Sequence, residues 1–431
     1  SKALPVSGVA VIGAGYVGLT TATCLAHLGH TVICADIDEK KVDALNKGEV
    51  PIHETRLPEL LRDGLSQQTL KFVVGARQAV TDSEFVFLCL PTPQSDDGRA
   101  DISAISQVIE EIREIIPAGS TIVNKSTTPV GTNAAIQSLV RRGDVAVVSN
   151  PEFLREGVAV TDFLQPDRIV IGSTDPEAAQ KVSGLYNAVD APIITVDPLS
   201  AETIKYATNS FLATKVSFVN ALAAVCEAVG ADIESVTRGL GADQRIGSRF
   251  LQPGPGWGGS CFPKDMQALV RMADDAGYQF DLLRAVIEAN EQQFARVVSK
   301  VERLVGDKLG GAKISLLGLT FKAHTDDLRN SPALEVAKLL SSEGARLIAY
   351  DPMVESNSGL PTEIELAQNI EQALTGSDAV VILTEWPEFT RANWGALRDF
   401  MNAPRVLDAR NALDRRAMLD LGFQYDDLGR I

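Results

Sequence analysis

The apolar run Val9-Ala10-Val11-Ile12 leads directly into Gly13-Ala14-Gly15-Tyr16-Val17-Gly18, and an apolar helical pattern follows over Leu19–Leu28. A strand, a G-x-G-x-x-G turn and a helix in that order confine the N-terminal part to a βαβ unit that binds a dinucleotide. Gly13 allows the tight turn, Gly15 lets backbone approach a pyrophosphate, and Gly18 permits close packing of helix on strand. Tyr16 and Val17 belong to the same phosphate-facing turn, where the helix offers its first N–H groups and its positive end. Asp36 closes the second strand pattern. A carboxylate there accepts bonds from the adenosine ribose and repels a 2′-phosphate, which favours NAD over NADP.

The alternation of strand and helix continues. Val9–Ile12, Thr31–Ala35, Phe85–Leu90, Thr121–Asn124 and Val145–Ser149 read as buried strands of a parallel sheet. Arg168–Gly172 and Pro192–Val196 read as a sixth strand and an edge element, with helices at Ile102–Ile115 and Pro176–Tyr186. Ala201–Val229 then contains no Gly or Pro and is apolar around most of its circumference, as a buried or dimer-facing helix would be. Asp265–Ala276 and Asp281–Leu304 are further helices. Beyond Gly310-Gly311 the α/β pattern returns, with strands at Lys313–Leu317, Arg346–Tyr350, Ala379–Thr384 and Val406–Asp408 and helices at Pro332–Glu343 and Ile364–Leu374. At 431 residues the chain exceeds one ordinary core. The expected fold is α/β: two Rossmann-like doubly wound domains, 1–197 and 306–431, joined by a central helical domain, 198–305.

The net charge of −16 argues against nucleic acid or an acidic membrane as a partner. An anionic ligand must therefore meet a local convergence of Lys and Arg. No run approaches eighteen uninterrupted apolar residues, so no membrane span is expected. The short polar start, Ser1–Gly8, lacks the basic region of a signal peptide, and the expected location is the cytoplasm. Five cysteines without C-x-x-C spacing predict neither a disulfide framework nor a metal site. Three of them lie in apolar runs and read as inert buried thiols.

Cys261 differs. Gly254-Pro255-Gly256-Trp257-Gly258-Gly259-Ser260-Cys261-Phe262-Pro263-Lys264-Asp265 sets it in a glycine-rich loop before a helix, close to lysines. Such a thiol is partly thiolate at neutral pH and nucleophilic; the plainer alternative is a tight turn with an incidental buried cysteine. Lys205 and Asn209 stand four apart on a helix and share a face. They suit an alkoxide or oxyanion, where one donor is typically worth about 3 kcal/mol of barrier; the alternative is a solvated lysine and a core asparagine. Glu152 follows Pro151 after a buried strand, at the ligand-binding end of the sheet, where a structural turn acid is the other possibility.

Four ordered segments carry a resemblance that spans nearly the whole chain. They are Asn150-Pro151-Glu152-Phe153-Leu154-Arg155-Glu156-Gly157 with Asp162-Phe163 and Pro166-Asp167-Arg168; Lys205-Tyr206-Ala207-Thr208-Asn209-Ser210-Phe211-Leu212-Ala213; the Gly254–Asp265 loop; and Phe321-Lys322 through Asp326-Asp327-Leu328-Arg329-Asn330-Ser331-Pro332. Together they resemble the UDP-glucose 6-dehydrogenase family, within the UDP-glucose/GDP-mannose dehydrogenases. That resemblance implies an NAD-binding Rossmann domain, a helical dimer-forming domain and a UDP-binding Rossmann-like domain. It also implies a four-electron oxidation of UDP-glucose to UDP-glucuronate with two NAD+, through aldehyde, thiohemiacetal and thioester on Cys261.

By the same resemblance Lys205 and Asn209 stabilise the oxyanions, Asp265 orients a water and pairs with Lys205, and Glu152 is the base for thioester hydrolysis. Lys41 falls near the adenosine ribose, Thr92, Thr127 and Glu156 near the nicotinamide half, Lys264 beside the cofactor, and Arg329 reaches NAD from the third domain. The substrate is taken by Phe153, Leu154 and the loop Phe250–Gly258, with Leu251 and Gly254, and by Phe321, Lys322 and Arg410. Arg245 is lent to the neighbouring active site of a homodimer. Two departures stand out. Pro51-Ile52-His53-Glu54-Thr55-Arg56 replaces the usual Pro-Ile-Tyr-Glu-Pro-Gly, in a loop beside the cofactor, and Trp257 replaces Tyr or Phe in the sugar pocket. The alternative substrates are GDP-mannose and a UDP-N-acetylhexosamine. A non-catalytic binding protein is disfavoured because the proposed reactive residues are all present, and a single-step alcohol dehydrogenase would leave Cys261 without work.

Overall fold

The computed structural model describes residues 6–306, 308–356 and 359–431. Its first sheet has eight strands: β1 (Gly8–Ile12), β2 (Thr31–Asp36), β3 (Leu70–Val74), β4 (Phe85–Leu88), β5 (Thr121–Asn124), β6 (Ala146–Ser149), β7 (Ile169–Gly172) and β8 (Ile193–Val196). Their order is β3-β2-β1-β4-β5-β6-β7-β8. The central strands are apolar throughout because both faces are covered. Leu19, Leu25, Leu57, Leu61 and Phe163 fill one face, and Val80, Ile105, Ile109, Ile112 and Ile136 the other. The parallel-sheet expectation needs one correction. β7 runs antiparallel to β6, and the two meet only at Ser149 and Gly172. Between them the chain forms a six-residue helix, Ala159–Leu164, and turns back.

The second sheet has six strands, parallel throughout: β9 (Lys313–Leu317), β10 (Arg346–Tyr350), β11 (Ile364–Leu366), β12 (Ala379–Ile382), β13 (Arg405–Asp408) and β14 (Gln424–Asp426). Their order is β11-β10-β9-β12-β13-β14. The helix expected over Ile364–Leu374 is corrected to the strand β11 and a separate helix, Ile370–Leu374. Asn369 starts that helix by accepting the Gln372 N–H.

The chain divides into two compact units, one running to Thr208 and taking in Gln267–Ala276, the other comprising Asn209–Met266 and Gly277–Ile431. The helices Pro198–Val229 and Phe262–Asp275 each pass from one unit to the other. By length and composition alone Pro198–Val229 is apolar enough to cross a membrane, which corrects the expectation that nothing in the chain reads so. It also carries two buried charges, Glu202 and Lys205. Phe211, Phe218, Val225 and Val229 are exposed along it.

Candidate active site

In the first unit the glycine turn shows why each glycine is needed. Gly13 has φ +103°, and a Cβ on it would lie 2.2 Å from the Cys89 carbonyl oxygen. A Cβ on Gly18 would lie 1.7 Å from the Gly13 carbonyl oxygen. Nothing lies within 4 Å of the corresponding point on Gly15. Two glycines are thus demanded by the chain itself, and the third faces open space. Gly15 is the N-cap of the helix Tyr16–His27 and has no side chain to accept its first N–H groups. Asp36 Oδ2 accepts the Ala14 N–H at 3.0 Å and Oδ1 the Asp38 N–H at 3.0 Å, with Lys41 Nζ at 3.4 Å. Burial pushes its carboxyl up, but the two N–H groups and Lys41 outweigh that and hold it below the ordinary value. Tyr16 Oη lies 3.4 Å from the Leu154 carbonyl oxygen.

The carboxyl ends of β5 and β6 line a pocket formed by Asn124, Ser126, Thr127, Thr128, Ser149, Pro151, Glu202 and Lys205. Beside it Thr92 donates its hydroxyl to the Thr127 carbonyl at 2.8 Å. Glu202 accepts the N–H groups of Gly131, Thr132 and Asn133 at 2.5, 3.2 and 2.9 Å and so caps the helix Thr132–Val140. Burial raises its carboxyl above the ordinary range against those three donors. Sequence reasoning passed over Glu202. The available signal was an acid three residues before Lys205 on the same helix face.

Lys205 Nζ pairs with Glu152 Oε1 at 3.1 Å, with the two side chains 5% and 4% exposed. The reading of Lys205 as a solvated lysine is therefore discarded. Glu152 Oε2 also accepts the Leu154 N–H at 2.6 Å. The Phe153 ring lies 3.6 Å under the Arg168 guanidinium and 5.5 Å from Lys205 Nζ. Glu54, also passed over, accepts the Gly157 and Ala159 N–H groups at 2.8 and 3.1 Å and anchors the turn after Glu156. Two residues on, Arg56 adopts φ +68°. The left-handed conformation there explains why glycine is usual at this position in the family that the sequence resembles.

In the second unit Cys261 is the one cysteine of the five that is not buried. It sits just before the helix Phe262–Asp275 and accepts the Asp265 N–H through its carbonyl at 2.8 Å. Ser260 Oγ is 3.5 Å from its sulfur. By contrast burial pushes the Cys24 and Cys89 thiols up to about 12 and Cys34 well above its ordinary value. Asp265 is 1% exposed. Its Oδ2 accepts from Asn209 Nδ2 at 2.7 Å, and Lys264 Nζ is 3.7 Å from Oδ1.

The loop before Cys261 is clamped to the helices of its own unit. Asn220 Oδ1 accepts the Gly254 N–H at 2.9 Å, and Gln293 donates to the Gly254 carbonyl at 2.9 Å. Asn290 bonds both the N–H and the carbonyl of Trp257, and the Trp257 indole donates to Ser217 Oγ at 2.9 Å. A Cβ on Gly258 would lie 2.0 Å from the Asn330 carbonyl oxygen, and one on Gly259 would meet the Phe321 ring at 2.8 Å. These two glycines are thus required by packing against protein.

Leu251 is buried, and Phe250 lies 6.4 Å from the Phe262 ring. Lys322 Nζ stands 5.5 Å over the Phe321 ring. Arg410 is tied to the Leu383 and Phe321 carbonyls at 2.8 and 2.9 Å. Arg245 and Arg329 are exposed, 88% and 65%, and each guanidinium is gripped by the aspartate two residues before it, Asp243 and Asp327.

Residues 7–190 match the NAD binding domain of the UDP-glucose/GDP-mannose dehydrogenase family, residues 199–292 its central domain and residues 315–415 its UDP binding domain. NAD is the cofactor. The chain is 42% identical over 429 residues to UDP-glucose 6-dehydrogenase YwqF of Bacillus subtilis, covering 98% of this chain and 97% of that one. It is 41% identical over 433 residues to UDP-glucose 6-dehydrogenase of Rhizobium meliloti, covering 98% and 99%. A solved UDP-glucose dehydrogenase from the hyperthermophilic archaeon Pyrobaculum islandicum superimposes with a TM-score of 0.91 at 34% identity, over 100% of this chain and 99% of that one. With all three domains matched in order and the relatives aligned end to end, this chain belongs to the UDP-glucose/GDP-mannose dehydrogenase family.

Proposed function

We propose that the chain oxidises the C6 alcohol of UDP-glucose to the carboxylate of UDP-glucuronate, through a thioester on Cys261. The observation that carries this reading is the contrast among the thiols: four are buried, and Cys261 alone stands accessible at the start of a helix, near Lys264 and Asp265. Four residues before Asn209 on one helix lies Lys205, already paired with Glu152.

NAD+, when bound, would supply the hydride acceptor for each of the two oxidations. In the first, the alcohol loses a hydride and its hydroxyl proton and becomes the aldehyde, with Lys205 and Asn209 holding the oxygen. The Cys261 thiolate adds to the aldehyde carbon, forming a C–S bond and a thiohemiacetal. Loss of the second hydride and of the hydroxyl proton gives the thioester. Glu152 then takes a proton from a water that Asp265 orients, the hydroxyl adds, and the C–S bond breaks to return the thiolate. Donors aimed at each developing oxyanion lower these barriers by about 3 kcal/mol apiece.

Gly13, Gly15, Tyr16, Val17, Gly18, Asp36, Lys41, Thr92, Thr127, Glu156, Lys264 and Arg329 would hold NAD. Phe153, Leu154, Phe250, Leu251, Gly254, Gly258, Phe321, Lys322 and Arg410 would hold the nucleotide-sugar, within domains 1–197, 198–305 and 306–431. The exposed stripe Phe211, Phe218, Val225 and Val229 supports a homodimer, and the exposure of Arg245 supports its reaching the partner's site. The enzyme would work in the cytoplasm.

The test counts NADH per UDP-glucose consumed, for the natural chain and for Cys261→Ala. Two equivalents, with carboxylate formation lost in the variant, support the thioester route. Turnover of GDP-mannose or a UDP-N-acetylhexosamine in place of UDP-glucose moves the specificity and keeps the chemistry. Complete two-step oxidation without the thiol rules the covalent route out.

A further inference from the structure

Lys125 follows the last residue of β5 and is buried, with 5% of its surface exposed. Its Nζ donates to Asn150 Oδ1 at 3.2 Å and lies 5.6 and 5.9 Å from the ring centres of Phe163 and Tyr186. Among the described residues no carboxylate lies within ion-pair distance of it. The acceptor is itself fixed. Asn150 Oδ1 also takes the Tyr186 hydroxyl at 2.5 Å, while its Nδ2 donates to the Val170 carbonyl at 2.9 Å. Asn150 directly precedes Pro151-Glu152, so the bond ties a buried ammonium to the turn that presents Glu152. A buried lysine without a carboxylate partner is costly.

The titratable groups facing it come from four elements: Cys89 after β4, Glu152 after β6, Tyr186 after the helix Pro176–Leu185, and Lys205 on the long helix. Burial pulls the Lys125 ammonium down to about 8; Cys89 and Glu152 act against that, and Lys205 adds to it. Cys89 and Tyr186 are both pushed far up by burial and stay neutral. The charges that remain around Lys125 are those of the Glu152–Lys205 pair.

We infer that Lys125 is a positioning residue for the oxidation: its buried ammonium, held by Asn150 at the foot of the turn that presents Glu152, places a further positive charge beside the Glu152–Lys205 pair. This rests on the roles given above to Glu152 and Lys205. The field is present below about pH 8 and disappears as Lys125 loses its proton. The structure therefore gives the acid–base pair a charge that is switched off on the alkaline side.

The experiment measures single-turnover NADH formation against pH for the natural chain, Lys125→Gln and Lys125→Arg, with melting and NAD titration to show that each is folded. Gln keeps an N–H donor for Asn150 and removes the charge. Its acidic limb is expected to move to higher pH by about half to one unit, and its profile to rejoin the natural one above about pH 8. Arg stays charged, so its limb is expected to stay in place and the natural change near pH 8 to vanish. An unmoved limb in folded Lys125→Gln, or a uniform loss at every pH, overturns the inference. If the Gln variant does not fold, the Arg variant decides by itself: a persisting change near pH 8 overturns the inference. The underlying reading is checked separately with Glu152→Gln and Lys205→Met. If those retain both oxidations that reading fails; if they are inactive while the Lys125 profiles do not move, only the present inference fails.

Discussion

In the first sheet Gly13, at φ +103°, donates its N–H to the Ala35 carbonyl at 2.8 Å; in the second Gly318, at φ +97°, donates to the Tyr350 carbonyl at 2.8 Å. The next N–H, of Ala14 or Leu319, goes to an acid at the carboxyl end of the second strand of its sheet: Asp36, the last residue of β2, at 3.0 Å, and Asp351, directly after β10, at 2.8 Å. The strand orders correspond one to one over six strands. The divergence comes one residue later. Gly15 faces open space, whereas Thr320 is fully buried and gives both its N–H and its hydroxyl to Asp351, at 3.0 and 3.1 Å. The Trp386 indole adds a further bond to the same carboxylate at 3.2 Å. Asp351 is 1% exposed and spends its acceptors on its own lobe, while the Asp36 side chain remains 13% exposed. The capacity to take a dinucleotide thus lies in what the turn leaves open, since the strand order is shared.

The sharpest way to break this comparison is Gly318→Ala. The added Cβ would meet Thr384 at 2.3 Å at a positive φ, and we expect the second unit to lose roughly 3 kcal/mol or more. Thermal melting should show the loss while NAD titration of the folded fraction stays unchanged; a weakened NAD affinity would contradict the division of labour. Gly15→Ala should do the reverse. Its Cβ meets nothing in the protein, so the melting temperature should hold while NAD binding falls at least tenfold, or about 1.4 kcal/mol; unchanged binding would remove the turn from the cofactor site.

Arg56→Gly should stabilise the first unit by about 1 kcal/mol by relieving a left-handed arginine, with activity as the check that the loop is otherwise intact. The smallest effect belongs to Asp36. Its carboxyl is depressed in the folded state, so its contribution is present above the unfolded value of about 3.9 and lost as pH falls through the folded one. Asp36→Asn should flatten acid unfolding below about pH 4 by under about 1 kcal/mol; an identical acid slope would show that the carboxylate is not held as described.

The sequence made the first turn legible because its glycines, its strand and its spaced acid each answer a separate physical need. The corresponding turn at Gly318 was not legible as such, because Leu319 and Thr320 have filled the places that make the pattern recognisable. β3, β11 and β14 were missed for a different reason: β11 and β14 are three residues each, and β3 alternates Lys71 with Leu70 and Phe72 at the sheet's edge. Of the proposed catalytic residues, Cys261, Lys205 and Asn209 stood out by residue type and spacing, while Asp265 and Glu152 took their roles from the family resemblance. Lys125, Glu202 and Glu54 did not stand out, since an isolated charged residue reads as surface and only the fold shows it buried. Their partners lie 25, 70 and 103 residues away, beyond any local pattern.

The chain has three tryptophans, Trp257, Trp386 and Trp394, and all lie in the second unit. The indole of each is buried and hydrogen-bonded, to Ser217, to Asp351 and to the Phe389 carbonyl. The unit that carries the dinucleotide turn is therefore optically silent in tryptophan emission. Intrinsic fluorescence reports the loosening of the second unit alone, and the nicotinamide signal of bound NADH reports occupancy of the dinucleotide turn, so the two can be followed in one cuvette without a label.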